Sequence, residues 1–421
     1  LLDGDEVDLH GGIVEAAMLR GMADGKPIVD SEMYIGTSSN SIRNAFMTQY
    51  QRGFSVSYAV KWSRRPCDWR RVHEVVQTEG RWKGFKLWQM WPEESLKNAM
   101  KVSAYNFMHP YRVPTDQLLG IRTAKRDVLD VNEFFTPRDR GVPHEVAILF
   151  STPTEHLGQA EGGHASYKLF DQAVMSLEFS HLLSDVIFEE QITNSLARLG
   201  QYKVLVAAGT DATYAGTCMN VNQWVEKGGV LVLLGESMHL NEYGGKNPEA
   251  LTGIEQGKHK ESEQATIDVL GVKVQGSCYS DTTLDASWEV LGRIGDQVVV
   301  ARKKFGRGTV WYLNGKFSGD GIGDLVKLAA KDAGVKPSAE PLDACADGGS
   351  TFLRSIELDA ASRAGMDAYM LTARTLRDAV TRFKPRRPMP KMVRVWNDPT
   401  QAYRQEIMPD KEGYYTLELP A

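Results

Sequence analysis

Residues 142–336 alternate between short, continuous apolar runs and stretches in which apolar side chains recur at helical spacing. The runs at 144–151 (HEVAILFS), 186–190, 202–209 (YKVLVAAG) and 230–235 (VLVLLG) have the length of buried strands. Between them, 165–183 has the spacing of an amphipathic helix, and 220–227 ends a second helix at Gly228 and Gly229. Residues 298–313 read as a hairpin turned at 305–308 (FGRG). Strands that are apolar throughout, separated by helices, are covered on both faces, so a doubly wound parallel α/β sheet of flavodoxin-like type is predicted. The loop predicted at 152–164, with His156 and His164, is longer than a simple connection needs.

The first third follows another rhythm. Ile28 and Val29 read as a short buried strand, and Asp30, Ser31 and Glu32 fall where it opens into a loop rich in Gly, Ser and Asn. Residues 38–52 carry Ile42, Phe46, Met47 and Tyr50 at helical spacing and stop at Gly53. Residues 54–62 (FSVSYAVKW) then alternate as a strand that ends in Trp62. Upstream, 12–23 reads as a helix and 1–9 as the end of a preceding strand with its polar loop. Strand, helix, strand, helix, strand is the succession of a parallel α/β barrel. In such a barrel a carboxylate at a strand's C-terminal end is a catalytic position, although acidic residues also lead into helices as caps.

These residues carry a family likeness. The run KPIVDSEMYIG at 26–36, the helix after it and GFSVSYAVKWSRR at 53–65 resemble the seventh and eighth strands of clan A retaining glycoside hydrolases, in particular the family 42 β-galactosidases. The resemblance implies a C-terminal part of a (β/α)8 barrel, with Glu32 as nucleophile and Trp62 as a sugar platform. Asp30, Tyr34, His10, Trp88 and Trp91 are the further substrate-binding candidates, the two tryptophans as walls of a sugar subsite. Asp30, Ser31, Tyr34 and Asn40 surround Glu32 with hydrogen-bonding side chains, as a site that orients a carboxylate requires. A retaining enzyme needs a second carboxylic acid about 5–5.5 Å from the first. The clan carries it on the fourth strand, and this chain reads from near the sixth, so the acid/base is expected on sequence outside the chain. By the same likeness 142–336 is a trimerisation domain, similar to class I glutamine amidotransferases, and a homotrimer is expected. No cofactor is implied.

The remaining pattern divides the chain further. Residues 65–135 are aromatic and basic, with helical spacing at 94–108 and 116–135, so 1–136 is predicted as barrel end plus connector. Short strand-like runs at 352–358, 368–373, 392–396 and 414–419, separated by polar turns, predict a small β-sandwich over 337–421.

Composition excludes several classes. A net charge of −5 with no persistent basic face argues against a nucleic-acid partner. No apolar run approaches the roughly 18–20 residues of a membrane span. Cys67, Cys218, Cys278 and Cys345 lack paired spacing, so neither a zinc site nor a disulfide framework is signalled, and a cytoplasmic location is favoured over a periplasmic or secreted one. Asp3, Asp5, Glu6 and Asp8 form only an incomplete cation-loop pattern, and no metal site is predicted. Ser237 near His239 suggests a nucleophile pair but lacks the GxSxG elbow. The opening Leu-Leu-Asp, without Met or a signal-like stretch, leads us to expect the C-terminal part of an enzyme. The alternative function is a non-catalytic oligomerisation or carbohydrate-binding scaffold.

Overall fold

The computed structural model describes residues 3–23, 26, 28–33, 39–59, 74–75, 77–79, 116–135, 142–160, 165–193, 195–251, 254–255, 262–279, 282–341, 356–363, 365–373, 379–387, 391–397 and 402–419. The chain divides into two compact units, a larger one of Leu1–Lys26, Asp139–Met392 and Ile407–Ala421, and a smaller one of Pro27–Arg138 and Val393–Glu406. The first element, α1 (Asp3–Ala23), therefore belongs to the larger unit.

In the smaller unit, β1 (Ile28–Met33), α2 (Ser39–Gln51), β2 (Phe54–Ala59) and α3 (Asp116–Val131) follow in order. β1 and β2 pair in parallel, the helix between them supplying the crossover that parallel neighbours need. Gly53 ends α2 in the left-handed region at φ 89°, which a residue without Cβ enters freely. α2 and α3 are fastened to each other by a bidentate pair, Arg43 Nε to Asp127 Oδ2 at 2.7 Å and Arg43 Nη2 to Oδ1 at 3.3 Å. Tyr50 adds a hydrogen bond to Asn132 at 3.2 Å.

The larger unit is built on a seven-stranded sheet. Its first half contains β3 (Val146–Phe150), α4 (Thr152–Ala160), α5 (Ala165–Phe179), β4 (Ser184–Phe188), α6 (Glu189–Ile192), β5 (Val204–Ala208), α7 (Ala215–Glu226) and β6 (Val230–Leu234). The second half adds β7 (Ile254–Glu255), β8 (Ala265–Val269), β9 (Val272–Cys278), β10 (Thr283–Leu284), β11 (Glu289–Ile294), β12 (Gln297–Phe305), β13 (Gly308–Leu313), β14 (Gly315–Phe317) and α8 (Gly321–Asp332). The order across the sheet is β4-β3-β5-β6-β13-β12-β11. The first five pair in parallel and the last two antiparallel. Counted along the chain, the parallel strands stand in the order 2-1-3-4-5 of the predicted flavodoxin-like sheet.

Side-chain alternation sends each strand into two separate cores. Val146, Ile148, Val204, Val206, Val230 and Val232 enter one with α1, α5 and α8. Ala147, Leu149, Leu205, Leu231 and Leu233 enter the other with α7. The continuous apolar runs in the sequence are the trace of that double burial.

Three expectations change. Residues 1–9 are not a strand end, because the helix begins at Asp3, and its Ile13, Val14 and Ala17 join the core of the seven-stranded sheet rather than a barrel. The acidic opening is thus helical. Residues 152–160 are helix instead of loop, since the Ser151 hydroxyl caps Thr154 N–H at 3.1 Å and Pro153 fits a first turn. Asp30, Ser31 and Glu32 are strand residues, because β1 continues to Met33. The helix predicted at 94–108 lies outside the described residues.

Beyond α8 the strands are β15 (Ala339–Pro341), β16 (Ile356–Arg363), β17 (Met366–Ala373), β18 (Ala379–Pro385), β19 (Met392–Asn397), β20 (Ala402–Ile407) and β21 (Tyr415–Leu419). β15-β18-β21 form one antiparallel sheet and β16-β17 a hairpin, and they share a small cluster of Leu358, Tyr369, Phe383 and Tyr415. Among the described residues no helix is long and apolar enough to cross a membrane.

Candidate functional site

Glu32 is the penultimate residue of β1, at the C-terminal end of a strand in a parallel pair. The register there is irregular. Asp30 stands opposite Ser57 and Met33 opposite Ala59, so Ser31 and Glu32 together face the single position Tyr58. An extra residue of this kind bends the strand and re-aims a side chain, and such bulges recur beside active sites. Asp30 lies on the same strand, before the bulge. His10 is a residue of α1 and therefore sits in the larger unit, not on a barrel-rim loop. Tyr34, Trp62, Trp88 and Trp91 lie outside the described residues.

The carboxyl ends of the parallel strands in the larger unit are the other place where this fold gathers chemistry. The Ser237–His239 pair does not form. The Ser237 hydroxyl donates to the Leu234 carbonyl at 2.6 Å, and His239 Nδ1 turns to the Glu236 carbonyl. Burial pushes the Cys218 thiol up to about 12, so it is no thiolate nucleophile. No group of three or more metal-binding side chains gathers among the described residues.

One group at this edge was hidden in the sequence. Glu189, directly after β4, is fully buried. Its Oε2 accepts the N–H of Tyr214, the residue that caps α7, at 2.9 Å. The hydroxyls of Ser151 and Thr217 and the Tyr214 N–H favour its charged form, but burial outweighs them. Burial accordingly pushes the Glu189 carboxyl up to about 7. The run DVIFEE gives no sign of this, because a glutamate at a strand end is ordinarily solvated.

Asp185, in β4, shows the opposite balance. Burial favours its neutral form, but the charge and hydrogen bond of His144 at 2.7 Å, with Arg20 and the Tyr202 hydroxyl, pull it down to about 2.

No protein-family model and no curated protein matches the sequence. Solved structures do match. The β-galactosidase from Bacillus circulans sp. alkalophilus aligns with 97% of this chain and 58% of its own, at 16% identity and a TM-score of 0.64. The cold-adapted β-galactosidase from Rahnella sp. R3 aligns with 98% and 58%, at 13% identity and a TM-score of 0.62. A catalytic mutant of Gan42B, a GH42 β-galactosidase from G. stearothermophilus, aligns with 91% and 51%, at 14% identity and a TM-score of 0.60. The chain spans a little over half the length of these structures. Over nearly all of its own length it shares the fold of GH42 β-galactosidases, at a sequence identity that carries the fold alone.

Proposed function

We propose that the chain is part of a retaining β-glycosidase, most like a β-galactosidase, with Glu32 as its nucleophile. The observation that carries this reading is the place of Glu32 at the C-terminal end of a strand in a parallel pair, beside an irregular register. The shared fold supports it by analogy. In this reading β1 and β2 are the closing strands of a (β/α)8 barrel. Glu32 attacks the anomeric carbon and a glycosyl-enzyme ester forms. A carboxylic acid protonates the leaving oxygen and then activates water, and we assign that acid to sequence outside residues 1–421. Asp30 and Tyr34 hold Glu32 and the sugar hydroxyls, and Trp62, Trp88 and Trp91 offer ring faces to the sugar. His10, on α1, is the substrate-contact candidate that the fold supports least.

Residues 142–336 serve as the assembly module of a homotrimer and 337–421 as a β-sandwich cap. No nucleic acid or membrane partner is proposed.

In the full-length protein, Glu32→Gln should abolish nearly all turnover of a chromogenic galactoside while the thermal midpoint holds, and a 2-fluoro sugar should esterify Glu32. Labelling of another carboxylate, or activity within a few-fold of wild type, overturns the assignment.

A further inference from the structure

The larger unit holds a cavity of about 890 Å³ beside β6 and β13, walled by α7 and by the short strands β7 and β10. This volume lies within the roughly 300–1,000 Å³ of small-molecule sites. Leu231, Leu233 and Tyr312, all buried, supply an apolar floor. The charged side chains of the lining are exposed or half-buried and so belong to its mouth.

The charge at that mouth has one prevailing sign. Glu236, Glu249 and Asp285 line the cavity, and among its described lining residues the only lysine or arginine is Lys246. His239 adds a positive charge only when protonated, and Glu236 Oε2 then stands 3.8 Å from its Nε2. Lys303, which is not a lining residue, acts on Asp285, yet that leaves Glu236 and Glu249 facing Lys246 alone. The hydroxyl of Ser287, with its N–H at 2.8 Å, holds the Asp285 carboxyl below the ordinary carboxylate range, so this group stays ionised. Carboxylates of one sign above an apolar, weakly polarisable floor concentrate a negative field that draws cations in and turns anions away.

The cation that fits is organic. No three metal-binding side chains converge among the described residues, and a bare ion would leave the apolar floor uncovered. An ammonium group on an apolar body meets both demands, since the body covers the floor and the N–H donors reach the carboxylates.

The wall is also held rigid. Met238 occupies the left-handed region at φ 65°, a strained conformation for a side-chain-bearing residue. It is kept there by its N–H to the Thr210 carbonyl at 2.6 Å and by the N–H of His239 and of Leu240 to the Asp211 carbonyl at 3.2 and 2.9 Å. A wall ordered before binding lowers the entropy lost when a ligand enters.

We propose that this cavity binds a small organic cation, an ammonium group carried on an apolar body, with the carboxylates at the mouth taking the ammonium. The site lies within the larger unit and asks nothing of the glycosidase reading.

The test holds the apolar body fixed and varies the charge. 2-Phenylethylammonium, 2-phenylethanol and 3-phenylpropionate are titrated into the full chain with methyl-labelled methionine, the Met238 resonance being identified by its loss in Met238→Leu. The ammonium should move the Met238 methyl saturably and bind about tenfold more tightly than the alcohol, the worth of one charge-assisted hydrogen bond. Phenylpropionate should leave the methyl still, and added salt should weaken the ammonium but not the alcohol. The double variant Glu236→Gln, Asp285→Asn should bring the ammonium down toward the alcohol while the alcohol itself binds as before, which also shows that the cavity has kept its fold. A methyl that stays still with the ammonium, or moves as readily with the alcohol or with phenylpropionate, overturns the proposal in the wild-type chain alone. So does an ammonium affinity that the double variant leaves unchanged.

Discussion

Glu189 makes the sheet unit sensitive to alkali. Its carboxyl titrates at about 7 in the folded chain against an ordinary 4.5, so between those values the unfolded chain gives up a proton that the folded one keeps. Folding stability therefore falls as pH rises from about 4.5 through 7, by at most about 3 kcal/mol. We expect the thermal midpoint of the wild-type chain to drop between pH 5 and 8. Glu189→Gln should flatten that slope and raise the midpoint at pH 8, and an unchanged slope in the variant would assign the effect to another group. Asp185 acts in a different window: its own titration costs stability as pH falls from about 3.8 toward 2. The two acids also differ in legibility. Glu32 can be proposed from the sequence because it follows an apolar run, whereas Glu189 is buried beside Ser151, Tyr214 and Thr217, which a linear pattern cannot bring near.

The elements most open to sequence reading were those whose local and tertiary demands agree. The hairpin of β12 and β13 turns at the expected Phe305 and Gly308, and VLVLLG at 230–235 contains β6. The second half of α1 was legible at 12–23, but its first turns were not, because Gly4, Gly11 and Gly12 disfavour a helix locally, and packing against β4 and α5 overrides that preference. The contact is close. A Cβ at Gly21 would come within 2.2 Å of the Val186 carbonyl oxygen, and that same glycine's carbonyl accepts from Gln191 Nε2 at 3.0 Å. Gly21→Ala should thus cost about 1–3 kcal/mol, seen as a lower midpoint in urea or heat. A neutral result would mean that α1 does not dock on β4. α4 is a milder case, since Ser151 ahead of Thr152, Pro153 and Thr154 is a helix start that only its position after a strand disguised.

At the scale of the molecule, the proposal that 142–336 assembles a trimer rests on a sheet domain whose described residues carry no nucleophile elbow and whose fold is shared with GH42 structures. His156, on the exposed side of α4, and α5 are the contact candidates, while His164 lies outside the described residues. Light scattering at micromolar concentration should return three copies. A monomer refutes assembly through this domain, and a dimer refutes its threefold symmetry.

The larger unit is also discontinuous in sequence, with α1 separated from the strand it covers by everything between Gly21 and Val186, a gap of 165 residues. On a ribosome adding roughly 5–20 residues per second, α1 emerges on the order of 10–30 s before β4 exists. For that interval Ile13, Val14 and Ala17 have no core to enter, so the nascent chain presents a sticky helix that a chaperone must hold or a neighbouring chain can capture. Slow translation across residues 27–138 would lengthen that exposure, and the yield of soluble protein should track it.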